Sequence, residues 1–173
     1  MSGGQSCTSV PMIYFGAITW QPKAYAASLQ YLDPDGIRRQ ISEIIRDYTT
    51  YAFETDPESE EDEKISAKKV YLNAEAMLRT MFSDLPEFKN KAVIKKILQR
   101  HRSADQSTPQ GSSLLSDLVQ VCQERLKETA TLNYREQFSA DSAADLKAAI
   151  DPYLTTPSGF KTPVFWPLIR HVR

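Results

Sequence analysis

The sequence predicts an all-α domain: an irregular bundle of five or six helices framed by extended, aromatic and proline-rich N- and C-terminal arms. Three observations predict it. Apolar residues recur at three- and four-residue spacing along most of residues 37–130. Asp-Pro and Ser signals of helix starts stand before those stretches. Six of the ten prolines and both tryptophans fall in the two terminal stretches 10–22 and 152–173, where helix formation is repeatedly blocked.

The bulk composition sets the limits. A chain of 173 residues, 41% hydrophobic and 25% charged, is of one-domain length and builds a core without disulfides. A net charge of -1 excludes a global field toward nucleic acid or membrane, so any such attraction is local. Cys7 lies in a small, polar start and Cys122 on an apolar helical face, and two free thiols are expected. The first 22 residues hold no Lys or Arg, and Gly16 and Thr19 interrupt the apolar run 12–20, so no secretory leader is read. No apolar run approaches the ~20 residues that span a bilayer. The expectation is an intracellular protein, cytoplasmic or nuclear, without membrane insertion.

Residues 1–22 form the N-terminal arm. Its stretch Val10–Trp20 is β-branched, aromatic and uncharged, and reads as extended. Lys23–Leu32, with Tyr25, Leu29 and Leu32 at helical spacing, reads as a short helix that opens a helical domain over 23–151. Asp33 and Pro34 start the next helix, whose stripe is Ile37, Ile41, Ile44, Ile45, Tyr48 and Ala52. An acidic linker, 54–63, follows; seven acids in ten residues repel one another and Pro57 blocks continuation.

Residues 70–102 read as two antiparallel amphipathic helices joined by Ser83-Asp84-Leu85-Pro86, the most regular pattern in the chain. Val70, Ala74, Met77, Leu78, Met81 and Phe82 face inward on the first, with Glu75 and Arg79 outward. Asp84 caps the second, and Phe88, Val93, Ile94, Ile97, Leu98 and His101 form its inner face. A polar loop, 103–113, leads to a helix through Leu114, Leu118, Val119, Cys122 and Leu126. It either runs on through Tyr134 and Phe138 or breaks near 129–133. Residues 139–141 start a last short helix, which Pro152 ends. The predicted core is Ile37, Ile41, Ile44, Ile45, Val70, Met77, Leu78, Met81, Ile94, Ile97, Leu98, Leu118, Val119 and Cys122.

Catalytic patterns are missing from this sequence. His101 and His171 are the only histidines, and neither has a Cys or carboxylate at metal-ligand spacing. There is no Gly-rich phosphate loop, no CxxC, HExxH or EF-hand pattern, and no nucleophile with a nameable base. No catalytic residue, metal site or cofactor is therefore predicted.

Three features point instead to association. Lys89, Lys91, Lys95, Lys96, Arg100 and Arg102 place six positive charges on one helix, with no acid from Phe88 to Arg102. They form a solvated face, a partner for the acidic run, or a docking patch for phosphate or an acidic protein. Exposed aromatics do not interleave them, which counts against single-stranded nucleic acid. The arms are too apolar to be solvated tails: they cover the chain's own core, or they carry partner anchors. In the second case the anchors are Tyr14, Phe15, Trp20, Phe160, Phe165, Trp166 and Arg170. Ser59, followed by Glu60, Glu61 and Asp62, resembles a substrate of an acid-directed kinase.

Leu85-Pro86-Glu87-Phe88, a basic amphipathic helix and a Leu-rich helix follow in that order within residues 74–128. In this the stretch is similar to the small helical docking domain at the N-terminus of transcription elongation factors. The likeness covers about a third of the chain, lacks that family's closing Trp, and transfers no functional residue. The expected function is a non-catalytic interaction or assembly subunit of an intracellular complex, held by the arms and the basic helix. The alternative is a transcription- or nucleic-acid-associated helical adaptor using the face 89–102. An enzyme is the third reading; it requires a pocket that sets His101 beside a carboxylate.

Overall fold

The computed structural model describes residues 21–54, 61–105, 113–129, 134–154 and 166–172. Their order is β1 (Tyr25–Tyr31), α1 (Pro34–Glu54), α2 (Glu61–Met81), α3 (Lys91–Asp105), α4 (Ser113–Thr129), β2 (Arg135–Ala140), α5 (Ala143–Leu154) and β3 (Ile169–Val172). The chain is mostly helical, as its periodicity predicts, with a small antiparallel sheet in the order β2-β1-β3.

α1 is the centre of the fold and packs against α2, α4, α3 and the 3-10 turn Trp166–Leu168. Its start follows the sequence signal. The Gly36 amide donates to Asp33 Oδ1 at 2.7 Å, and the Ile37 amide donates to the Asp33 carbonyl at 2.8 Å. A Cβ at position 36 would stand 3.1 Å from Leu32 Cβ, so the close approach of Leu32 suits glycine there. Ile37, Ile41, Ile44 and Tyr48 are buried on one stripe.

α1 ends at Glu54 and α2 begins at Glu61, so both edges of the expected linker 54–63 are helical. Acidic residues in the first turn of α2 complement the positive end of its dipole, which lets the helix start inside the acidic run. On α2, Ala74, Leu78 and Met81 are buried, as is Phe82 just beyond it. Two positions depart from the sequence reading. Val70 is 47% exposed and outside the core, and Glu75, expected outward, is buried.

α2 and α3 are not the hairpin that the short turn suggests. The main neighbour of α2 is α1, while α3 meets α1 and the 3-10 turn Pro86–Phe88. Phe88 is buried in that turn against Phe82, ring centres 5.1 Å apart, and redirects the chain. The cap of α3 is Asn90, whose Oδ1 accepts from the Ala92 amide at 2.8 Å. Asp84 instead pairs with Arg125 of α4, whose guanidinium also donates to the Met81 carbonyl at 3.3 Å. One side chain of α4 thus closes the C-terminal end of α2.

The expected helix at Lys23–Leu32 is strand β1. Ala27, Leu29 and Tyr31 alternate toward the core, a period-2 pattern that the Tyr25, Leu29, Leu32 spacing obscures, and Tyr25 is exposed. Its partners lie more than a hundred residues away: Leu29 stands opposite Glu136 of β2 and Val172 of β3. Local propensity cannot report such pairing. Similarly, α4 ends at Thr129, and Tyr134 and Phe138 belong to a turn and to β2 rather than to a longer helix. Tyr134 takes the left-handed conformation at φ 56. Its carbonyl accepts the Tyr31 amide at 2.9 Å, which fixes this reversal to the centre of the sheet.

α5 starts at Ala143, just after the expected 139–141; the Asp145 amide donates to Ser142 Oγ at 3.1 Å, and the Ser142 hydroxyl donates to Asp145 Oδ2 at 2.7 Å. Pro152 sits inside its last turn rather than ending it. The helix packs on β2 and β1, with Ile150 and Leu154 buried.

Four buried or half-buried protons make stability fall in alkali. Burial pushes the Cys122 thiol up to about 12, and burial with a hydrogen bond to Glu136 pushes Tyr153 up to about 12. Tyr31 and Tyr48 are raised further, mainly by burial and then by Glu136 and Tyr71 respectively. In the unfolded chain these groups ionise near 9 for the thiol and near 10 for the phenols. Above pH 9 the unfolded state therefore releases protons that the fold retains. Stability should be independent of these groups below pH 9 and fall between pH 9 and 12, approaching ~1.4 kcal/mol per pH unit for each fully shifted group. Urea titrations at stepped pH measure it, and Cys122→Ala should flatten the onset near pH 9.

Candidate functional site

The basic helix is the strongest sequence candidate, and the fold divides its charges. Lys91, Lys95 and Arg102 share one flank, at spacings of four and seven residues. This flank is engaged. Lys91 Nζ lies 2.8 Å from Glu75 Oε1, and Lys95 Nζ sits over the Phe53 ring, 5.6 Å from its centre. Arg102 also makes an interaction of its own.

Val93, Lys96 and Arg100 share the other flank, again three and four residues apart. All three are exposed, as is Lys89 just before the helix. Among the described residues no ion pair engages Lys89, Lys96 or Arg100. Half-buried Ile97 lies beside Val93 on the helix and joins this flank to the core residues Ile94 and Leu98. The six-charge patch is therefore one braced flank and one open cationic flank with an apolar centre.

Glu75 accounts for the bracing of Lys91. Its carboxylate is 5% exposed and also lies 3.7 Å from Arg79. It sits on the inner arc of α2, four residues after Tyr71 and three before Leu78, which is the signal that a charge-based reading overlooks. Tyr71 in turn lies against Tyr48 and Tyr51, at 4.8 and 4.9 Å between ring centres. Glu75 thus ties α3 to the aromatic seam between α1 and α2.

A second polar group absent from the sequence reading lies at the sheet. Tyr31 donates to Glu136 Oε2 at 3.2 Å, the Glu136 carboxylate also raises the Tyr153 phenol, and Tyr153 packs edge-on against Phe138. Strand pairing brings these residues together from distant positions, and their role is to lock α5 onto the sheet.

Of the aromatic anchors, Tyr14, Phe15, Trp20, Phe160 and Phe165 lie outside the described residues, as does Ser59. Trp166 opens the 3-10 turn before β3, and Arg170 is exposed on β3, at the irregularity in its pairing with β1. The residues around them are core: Leu168, Ile169 and Val172 are buried. His101 is half-buried on α3, and no group of three or more His, Cys, Asp and Glu among the described residues could hold a metal ion. No helix among them is long and apolar enough to cross a membrane. No family model matches the chain, and no curated protein or solved structure is significantly similar to it.

Proposed function

We propose that the chain is a non-catalytic interaction subunit that docks an acidic protein partner on the open flank of α3. The observation that carries this reading is the stripe Val93, Lys96 and Arg100, with Lys89 beside it: exposed cations around an exposed apolar side chain, next to a flank whose cations are already engaged. Cations of this kind steer and orient a partner, and the apolar contact between them sustains the complex. The reading takes no support from Leu168, Ile169 and Val172, whose apolar surface the chain's own core consumes.

The test is the paired substitution Lys96→Glu/Arg100→Glu, set against Lys127→Glu at an exposed position of α4. A fluorescent Glu- and Leu-containing peptide should bind the wild-type protein at low salt and weaken as salt rises. Reversal on the open flank should lower its affinity at least tenfold. A short RNA or DNA duplex in the same assay tests the nucleic-acid adaptor. Binding of the duplex but not the peptide, lost on the same reversal, would replace the proposal with that reading.

A further inference from the structure

We infer that the outer face of α2 is a self-complementary seam by which two copies of this chain pair antiparallel. Ile65 and Leu72 are two turns apart on one stripe, and they are 46% and 47% exposed. Large aliphatic side chains usually leave such a position to polar residues, and here the opposite stripe, with Ala74 and Leu78, already faces α1. Lys68 and Lys69 follow Ile65 at three and four residues; acids occupy 62 and 61 at the same distances before it. Asp62, Lys68 and Lys69 are exposed and form no ion pair among the described residues. Within the helix they cannot satisfy one another, because Asp62 stands six and seven residues from the two lysines.

This pattern has a two-fold centre at Ile65. Laid antiparallel on a second copy with Ile65 against Ile65, position 62 faces Lys68 and position 61 faces Lys69, twice over. The contact is isologous and closes on itself as a dimer. Competing registers are penalised. A parallel pairing sets each lysine against its own counterpart. An antiparallel pairing of Ile65 with Leu72 sets Lys68 against Lys69. Leu72 takes no part in this register, because its counterpart position 58 precedes α2, and the apolar contact is the Ile65 pair. A seam of two or three turns is small by the standard of stable dimers, so association depends on concentration and weakens with salt.

The inference is independent of the docking flank on α3, and a charge swap tests it. Sedimentation velocity on the full chain at low salt should show a dimer that grows with concentration. Glu61→Lys/Asp62→Lys makes the seam wholly basic, and Lys68→Glu/Lys69→Glu makes it wholly acidic. Each variant alone should be monomeric with an unchanged circular dichroism spectrum, and their equimolar mixture should dimerise more strongly than wild type. Ile65→Lys, a single exposed change, should also abolish the dimer without shifting the melting temperature. Lys96→Glu/Arg100→Glu should leave it intact. A wild-type protein that stays monomeric throughout, or a dimer indifferent to Ile65→Lys, or folded swap variants that fail to recover dimer on mixing, would overturn the seam.

Discussion

Deleting residues 166–173 should unfold the protein. Leu168 is wholly buried, and Ile169 and Val172 are each 7% exposed. Together with the ladder from β3 to β1 they form one side of the core. The Leu32 amide also donates to the Leu168 carbonyl at 2.8 Å, joining this segment to the start of α1. Burial of an aliphatic side chain contributes about 1.5–3 kcal/mol. Three of them lost together approach the ~5–15 kcal/mol total stability of a domain. β1 would also lose its partner on one edge and expose backbone donors and acceptors. The point substitution Leu168→Ala should cost about 2–5 kcal/mol. Urea unfolding followed by circular dichroism measures both, and a truncated chain with an unchanged midpoint would show that β3 adds nothing to the core. Of the two readings that the composition of 152–173 allows, this outcome favours an arm that covers the chain's own core over one that only carries partner anchors.

Lys91→Met should destabilise far more than its exposure implies. The lysine itself is 60% exposed, and a solvated lysine is ordinarily worth little. Its partner is not solvated: the Glu75 carboxylate, 5% exposed, keeps only Arg79 at 3.7 Å once Lys91 is gone. Leaving one member of a buried pair uncompensated costs several kcal/mol in a fully buried setting. With Arg79 remaining, about 2 kcal/mol is the expected loss. Lys96→Met on the open flank should stay within about 0.5 kcal/mol. Glu75→Gln should cost less than Lys91→Met, because the freed lysine reaches water. The double variant should recover part of the loss, which a double-mutant cycle reads directly. Equal effects of Lys91→Met and Lys96→Met would show that Glu75 does not depend on its α3 partner.

These two expectations have a common origin. Both the C-terminal segment and Lys91 look removable when judged one position at a time, and both are held by residues far away in the chain. The same separation explains the open flank of α3. Its six cations are equivalent along the sequence, and only the placement of Glu75 and Phe53 decides which of them remain available.

What the sequence determined by itself is the helical part of the fold. Ile37, Ile41, Ile44 and Tyr48 of α1, and Leu118, Cys122 and Leu126 of α4, are buried where periodicity puts them. Asp33 opens α1 as its chemistry predicts. A helix closes its hydrogen bonds within a few residues, so its stripe and its start are written locally. Tertiary structure alone decided the rest. β1 is a strand because β2 and β3 pair with it across more than a hundred residues, although Tyr25, Leu29 and Leu32 fit a helix. Glu75 is buried and Val70 exposed because α1 covers only one side of α2 and α3 approaches another. The candidate site follows the same division: its charges were legible in the chain, and their separation into a braced and an open flank arises only where three helices meet.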